Sequence, residues 1–410
     1  MLKPQTLKGF RDFLPVEERK RQYLISTLTS IFKRFGFEQM ETPALEYEEI
    51  LAGKYGSEGE KLMYRFEDLG KRRVAMRYDQ TVPLARVIAQ YQNQITFPFK
   101  RYQVSPVWRA ENTQKGRYRE FLQCDIDTIG SDSVLSDAEI IATIASAYKT
   151  LGFTNATILI NDREIFQNLS NETIIIIDKL EKIGKEAVVK ELAEKKLTAS
   201  TKAAEELLES LLARQPTQNL LQITNALKAF NIDTQTIKFS PTLARGLNYY
   251  TGLIFEVKTP DYPYGSLAGG GRYDNLIGMF TKEKIPAVGL SVGFDRTLEA
   301  MQTLHLFPST ITNSTTKVLV TIFSSELINK SSEITTRLRA KNINAEIYLG
   351  EIKQKNPLEK QLKYADQKGI KLCLIIGPEE IEKNIVTLKN LQTRQQQKLT
   401  LVELTAMLSI

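Results

Sequence analysis

The chain has 410 residues, of which 42% are hydrophobic and 25% charged, and its formal net charge is +7. That length supports two or three domains with substantial cores, and the composition excludes a collagen-like or disordered chain. A single histidine, His305, excludes HExxH zinc chemistry and reads as an incidental residue at the end of a helical run.

Cys124 and Cys373 sit in apolar strand-like runs and read as buried reduced thiols. No run of about 18 apolar residues occurs, so no membrane span is expected. The charged start MLKPQTLKGFRDFLPVEERKR has no apolar signal core. A cytoplasmic location is the expectation. Residues 317–410 carry 15 Lys and Arg against 10 Asp and Glu, which places +5 of the net charge there and permits a polyanionic partner.

Along the chain, Pro15–Phe35 has the period of an amphipathic helix stopped by Gly36. FEQMETPAL reads as a strand broken at Pro43. Leu62–Arg77 contains short alternating pieces, and TVPLARVIAQYQ returns to a helical period. Phe99–Trp108 alternates as a strand, with Arg101, Gln103, Ser105 and Val107 on one face together with Arg109. Asp137–Gly152 predicts a helix and TILIN a strand. Glu172–Arg214, rich in Lys, Glu, Ala and Leu, predicts a helical insertion without obvious chemistry. A strand-rich block covers Arg245–Asp274 and Pro286–Ser291 and closes with a helix over Asp295–Leu304. FPSTITNSTT, residues 307–316, is a polar linker. Beyond it, alternating strands and helices predict a small α/β domain.

The segment WRAENTQKGRYREFLQCDIDTIG holds four cations (Arg109, Lys115, Arg117, Arg119) and four acids (Glu111, Glu120, Asp125, Asp127). With a period of two, Phe121, Gln123, Asp125 and Asp127 share one strand face, and Leu122, Cys124, Ile126 and Thr128 share the other. The apolar face is core. The polar face is either a solvated charged hairpin or a ligand site, because covered carboxylates without partners cost several kcal/mol. Guanidiniums on a rigid sheet suit phosphate.

Further along, LARGLNYYTG sets Arg245, Tyr249 and Tyr250 ahead of an apolar strand. YGSLAGGGRYDNLI sets Gly269, Gly270 and Gly271 before Arg272, Tyr273 and Asp274. Those glycines serve either a close ligand approach or a flexible turn. In AVGLSVGFDRTLEA, Arg296 falls in the first turn of a helix, against the helix dipole; a bound anion or the adjacent Asp295 would justify it.

Taken together these motifs resemble the class II aminoacyl-tRNA synthetases, and within them the histidyl-tRNA synthetase family. The likeness runs from KGFRDFLP to IVTLKNLQT. ETPALE, the charged hairpin and GLSVGFDR are similar to the three class motifs. RGLNYYTG and GGGRYDNL are similar to the two histidine-specific signatures, and RYDQTVPLAR to the amino-acid-gripping loop. The resemblance implies an α+β catalytic domain on an antiparallel six-stranded sheet over 1–306, with a helical insertion at about 165–240. It also implies an α/β anticodon-binding domain over 317–410 after the 307–316 linker, and a homodimer with Pro43 at its interface.

The implied reaction is ATP-dependent ligation: histidine and ATP, carried with Mg2+, give histidyl-adenylate and pyrophosphate, and histidine then passes to tRNA-His. The same resemblance implies the residue roles. Arg109 contacts the α-phosphate and the reacting carboxylate, and Arg245 stands in for a metal ion at the α-phosphate. Glu111 and Phe121 hold adenine, while Arg117 and Arg296 hold the β- and γ-phosphates. Asp79, Thr81 and Gln123 bind the amino group of histidine. Asp127 and Tyr250, with Tyr249 and Tyr273 in the same signatures, read its imidazole. Gln114 and Arg119 read the 5′ end of tRNA. No metal site built from protein His or Cys is expected. Asn248 departs from the family's usual Asp, and Asp79 and Asp127 are shorter than the Glu common there. A non-catalytic relative, the regulatory subunit of ATP phosphoribosyltransferase, shares this core but typically loses the arginines that Arg109, Arg117, Arg245 and Arg296 match.

Overall fold

The computed structural model describes residues 2–408 except 54–55, 114–115, 246–248, 312 and 353–354, with only the backbone described at 56–58. Gln114 and Asn248 therefore lie outside the described residues. The chain forms two compact units: Met1–Asp12 with Arg21–Phe307, and Phe13–Lys20 with Pro308–Ile410.

The first unit is built on a mixed eight-stranded sheet. Its strands are β1 (Glu38–Gln39), β2 (Phe99–Trp108), β3 (Glu120–Ile129), β4 (Thr157–Asp162), β5 (Ile237–Phe239), β6 (Leu253–Lys258), β7 (Ala268–Arg272) and β8 (Ala287–Gly293). They lie in the order β1-β2-β3-β8-β7-β6-β4-β5. All neighbours pair antiparallel except the two short edge strands β1 and β5, which pair parallel. Where an antiparallel six-stranded sheet is expected, the sheet has eight strands and is mixed: six antiparallel strands lie between two short parallel edge strands. Strands of two and three residues are too short to show an alternation that a sequence reading could detect.

FEQMETPAL, read as a strand broken at Pro43, is divided between two sheets. β1 ends before Pro43, and Leu45–Tyr47 joins a separate three-stranded sheet with Arg73–Met76 and Arg65–Glu67. Proline has no N–H to give a ladder, so the break falls where a strand could not continue.

Helix α1 (Pro15–Arg34) buries Leu24, Leu28, Ile31 and Phe32 at helical spacing, and Gly36, at φ +79°, turns the chain out of it. These side chains join Tyr102, Cys124, Ile126, Ile141 and Phe255 in the core on one face of the sheet. A second core gathers Val82, Leu84 and Ile88 of α2 (Thr81–Tyr91) with Tyr250, Ile254 and Tyr273. Helices α3 (Val134–Thr150), α4 (Asn171–Ile177), α5 (Leu180–Glu194), α6 (Thr201–Leu212) and α7 (Gln218–Ala229) follow, then α8 (Phe294–Thr303) after β8. In the insertion, Ser170, Ser200 and Thr217 accept first-turn amides of α4, α6 and α7, which is why the helices begin there.

The second unit holds a five-stranded sheet of β9 (Val318–Val320), β10 (Ala345–Ile347), β11 (Leu372–Ile375), β12 (Val386–Asn390) and β13 (Gln396–Leu399), in the order β10-β9-β11-β12-β13. The first three pair parallel through helical crossovers, and the last two are antiparallel. Cys124 and Cys373 are buried free thiols, and burial raises both pKa values.

Candidate active site

β2 and β3 form a ten-residue antiparallel pair with Arg101 opposite Asp127, Gln103 opposite Asp125, and Ser105 opposite Gln123. On its other side β3 pairs with β8, setting Asp127 opposite Gly289 and Asp125 opposite Ser291. Phe121, Gln123, Asp125 and Asp127 accordingly line one cleft of about 530 Å³. The same cleft is lined by Asp79, Thr81, Arg109, Glu111, Arg117, Arg245, Tyr249, Tyr250, Tyr273 and Arg296. Residues from five separate stretches of sequence therefore face one space. Arg119 is not among the lining residues; its Nε donates to the Glu111 carbonyl at 3.1 Å.

At one end of the cleft, the Asp127 carboxylate accepts from the Tyr273 hydroxyl and lies 2.7 Å from Arg101, whose side chain is fully buried. Burial raises the Asp127 pKa, while Arg101 works in the opposite direction. Asp125 is pushed up to about 7, chiefly by burial, with Asp127 adding to the shift and Arg101 opposing it. Asp125 stands opposite Ser291 of β8, and its Oδ1 is buried without a hydrogen-bond partner among the described residues. Glu120 accepts from the Trp108 indole at 2.7 Å and ties the two strands where the connecting loop joins them. Gln123 donates to Ser291 Oγ at 3.0 Å, and its Oε1 is buried without a partner among the described residues. Asp79 Oδ1 accepts the amides of Thr81 and Val82, both at 3.1 Å, so this carboxylate also caps α2. Tyr249, Tyr250 and Tyr273 form an aromatic cluster, and burial raises all three phenol pKa values, keeping them as neutral hydroxyls.

The arginines occupy the rest. Arg109 donates to the Tyr78 carbonyl at 3.0 Å and stacks its guanidinium near Tyr78 and Phe121, with ring centroids at 4.4 and 5.2 Å. Arg117 is half exposed and lies 3.4 Å from Glu111. Arg296 donates to the Ser266 carbonyl at 2.7 Å. Of the two partners suggested for Arg296, a bound anion or Asp295, the second is paired elsewhere, with Arg11 at 2.8 Å and Arg21 at 3.5 Å. Arg245 lies 3.2 Å from Glu256.

The glycine run is neither a turn nor a loop; it is β7 itself. A Cβ on Gly269 would lie 1.5 Å from Arg245 Nη1, and one on Gly289 would lie 1.9 Å from Asp127 Oδ1. These two glycines make the room that the arginine and the aspartate occupy. Arg272, by contrast, is held by Asp137 at 3.0 Å and serves the fold.

Sequence reading assigned no role to Arg101, Ser291 or Gly289. The period-two face placed Arg101 beside Gln103, but only the pairing of β2 with β3 puts it against Asp127. Among the described residues, no group of three His, Cys, Asp or Glu converges in a metal-holding arrangement.

The family model for histidyl-tRNA synthetase matches residues 9–297, and that for an anticodon binding domain matches residues 317–409. The chain belongs to the histidyl-tRNA synthetase family. It is 40% identical to the histidine–tRNA ligase of Cytophaga hutchinsonii, over 98% of this chain and 99% of that one. With the Wolinella succinogenes histidine–tRNA ligase it shares 38% identity over 99% of this chain and 98% of the relative. Among solved structures, the histidyl-tRNA synthetase of Nostoc sp. superposes with a TM-score of 0.85 at 29% identity, covering 100% of this chain and 99% of the other. A Bacillus halodurans structure described as an ATP phosphoribosyltransferase regulatory subunit/histidyl-tRNA synthetase shares the fold, at TM-score 0.70 and 20% identity over 88% of this chain and 97% of that one.

Proposed function

We propose that the cleft activates histidine with ATP and passes it to tRNA, so that the chain is an ATP-dependent histidine–tRNA ligase. The observation that carries this reading is the convergence of Arg109, Arg117, Arg245 and Arg296 with Gln123 and Asp127 on a single cleft. In the first step a histidine carboxylate oxygen attacks the α-phosphorus, the bond to the bridging oxygen breaks, and pyrophosphate leaves. Charge develops on phosphate oxygens throughout, so fixed guanidiniums lower the barrier by positioning and neutralisation. Arg109 and Arg245 serve the α-phosphate, Arg117 and Arg296 the leaving pyrophosphate, and Glu111 with Phe121 the adenine. Magnesium accompanies ATP as part of the substrate.

Histidine enters with its amino group toward Asp79, Thr81 and Gln123. Its imidazole meets Asp127 and Tyr250, a carboxylate for one N–H and a hydroxyl for the other nitrogen, with Tyr249 and Tyr273 closing the pocket. In the second step a hydroxyl of the terminal tRNA ribose attacks the activated carbonyl and AMP departs. Arg119 and Gln114 are assigned to the 5′ end of the tRNA. Residues 1–306 act as the catalytic core with the insertion at about 165–240, 307–316 as linker and 317–410 as the anticodon-binding domain. The active form is a homodimer in the cytoplasm. Among the described residues no helix is long and apolar enough to cross a membrane.

Amino-acid-dependent exchange of pyrophosphate into ATP tests the reading, and histidine alone in a panel of amino acids should support it. Arg245→Ala should lower kcat by about a hundredfold or more while the KM for histidine stays within about threefold. A folded chain that binds histidine without exchange would overturn ligation in favour of a histidine-sensing role.

A further inference from the structure

The helical insertion sends two acidic side chains to the segments that hold Arg245. Asp178 follows directly on α4, its own amide closing on the carbonyls of Ile174 and Ile176. Its Oδ1 accepts the amide of Ala244 at 3.2 Å and that of Arg245 at 3.0 Å. Arg245 has a φ of +51°, in the left-handed region that side chains other than glycine and asparagine seldom occupy. One carboxylate oxygen receiving two successive amides fixes the peptide planes on both sides of Ala244, the second of which leads into that unusual residue. Three residues beyond Asp178, Glu181 in α5 pairs with Lys258 on β6. Lys258 lies 3.9 Å from Glu256, and Glu256 lies 3.2 Å from Arg245 Nη1. Residues 256 and 258 are two apart on a strand, so they share a face. A row of alternating charge thus runs from the insertion to the guanidinium.

We propose that the insertion positions the arginine that acts on the α-phosphate: Asp178 fixes the Arg245 backbone, and the Glu181–Lys258–Glu256 row sets how firmly Glu256 holds its side chain. The inference rests on the reading of Arg245 given above. Both contacts act on the same residue from independent directions, one on its backbone and one on its guanidinium. Glu256 parks the guanidinium beside the cleft, and the phosphate must draw it away. Lys258 offsets part of the Glu256 charge and so keeps that transfer easy. Asp178 and Lys258 are both partly exposed, so neither is needed to fill a core. Asp178 is a positioning residue, since it meets the reaction only through Arg245.

Kinetics of histidine-dependent pyrophosphate exchange, with Tm measured alongside, test this. Asp178→Ala should lower kcat by about thirtyfold with both KM values within about threefold, because the loss falls on the transition state. Asp178→Asn keeps a side-chain oxygen acceptor and should recover kcat to within about fivefold of the parent. Lys258→Met leaves the Glu256 charge uncompensated and should lower kcat by about three- to tenfold at unchanged Tm. Exchange-inactive parent protein, or full activity in Arg245→Ala, would sink the reading of Arg245 itself. An active parent and an inactive Arg245→Ala, with Asp178→Ala at parental kcat, would overturn the present proposal alone. A loss of kcat in Asp178→Ala that tracks a fall in Tm and is not recovered by Asp178→Asn would reduce Asp178 to a structural contact and overturn it equally.

Discussion

Asp125 and Asp127 stand two residues apart on β3 and face the same buried guanidinium, Arg101. Two carboxylates and one arginine leave a deficit of one positive charge, and a proton makes it up: Asp125 titrates at about 7, raised mainly by burial. The folded chain therefore holds a proton that the unfolded chain releases near the ordinary carboxylate value. Because the native state binds more protons across that window, stability falls as pH rises toward 7. Asp125→Asn removes this term, so the fall in Tm between about pH 5 and pH 8 should be smaller in the variant than in the parent. An unchanged slope would show that Asp125 is ionised throughout. Arg101 works against the upward push that burial exerts on Asp127, the carboxylate that the proposed reading sets against an imidazole N–H. Arg101→Met should raise the KM for histidine by about tenfold or more and leave the KM for ATP within about twofold. Breaking a buried pair also costs stability, by about 3 kcal/mol or more. Equal increases in both KM values would assign the effect to general loosening of the cleft.

At the scale of elements, β7 shows how a strand can give up its own side chains to seat those of other segments. A glycine inside a strand costs roughly 0.5–1 kcal/mol relative to alanine. On intrinsic preference alone, Gly269→Ala would stabilise the sheet. Yet the added methyl would occupy the space of Arg245 Nη1 and approach the Phe255 carbonyl to 3.0 Å. Gly269→Ala should therefore lower the kcat of exchange by about a hundredfold while Tm falls by only a few degrees. Loss of fold would show that the strand has no slack. The alternation in FLQCDID gave away one wall of the cleft, and the helical periods of α1 and α2 were equally legible. What could not be read was pairing across long separations. Arg101 meets Asp127 because β2 lies beside β3 in that register, and Asp295 is taken by Arg11, 284 residues away, rather than by its neighbour Arg296. The glycine triplet left a close approach and a turn equally open, because what Gly269 makes room for, Arg245, lies in another segment. Local pattern reports which face a residue is on; partners across the sheet are set by topology.

The whole molecule divides its charge unevenly. Residues 317–410 hold +5 of the net +7. Within the second unit, Lys330, Arg337, Lys368, Lys383 and Lys398 are matched by carboxylates of the same unit. Lys341, Lys363, Lys371 and Arg394 are exposed and form no ion pair among the described residues. Surface cations without a carboxylate partner suit the phosphates of a nucleic acid, whose condensed counterions they release on binding, so each such contact makes affinity fall with salt. The cleft of the first unit is different. Its arginines are partly enclosed and already oriented by Tyr78, Glu256 and Ser266, so ions screen them less. Raising salt from about 50 to 200 mM should therefore increase the KM for tRNA in aminoacylation by at least about tenfold. Histidine-dependent pyrophosphate exchange, which needs no tRNA, should change by less than about twofold over the same range. Replacing Lys341, Lys363, Lys371 and Arg394 together by glutamine should flatten the salt dependence of the tRNA step and leave exchange untouched. Should exchange and aminoacylation weaken in parallel with salt, the basic second unit would not be the source of the electrostatic affinity, and the guanidiniums of the cleft would have to be.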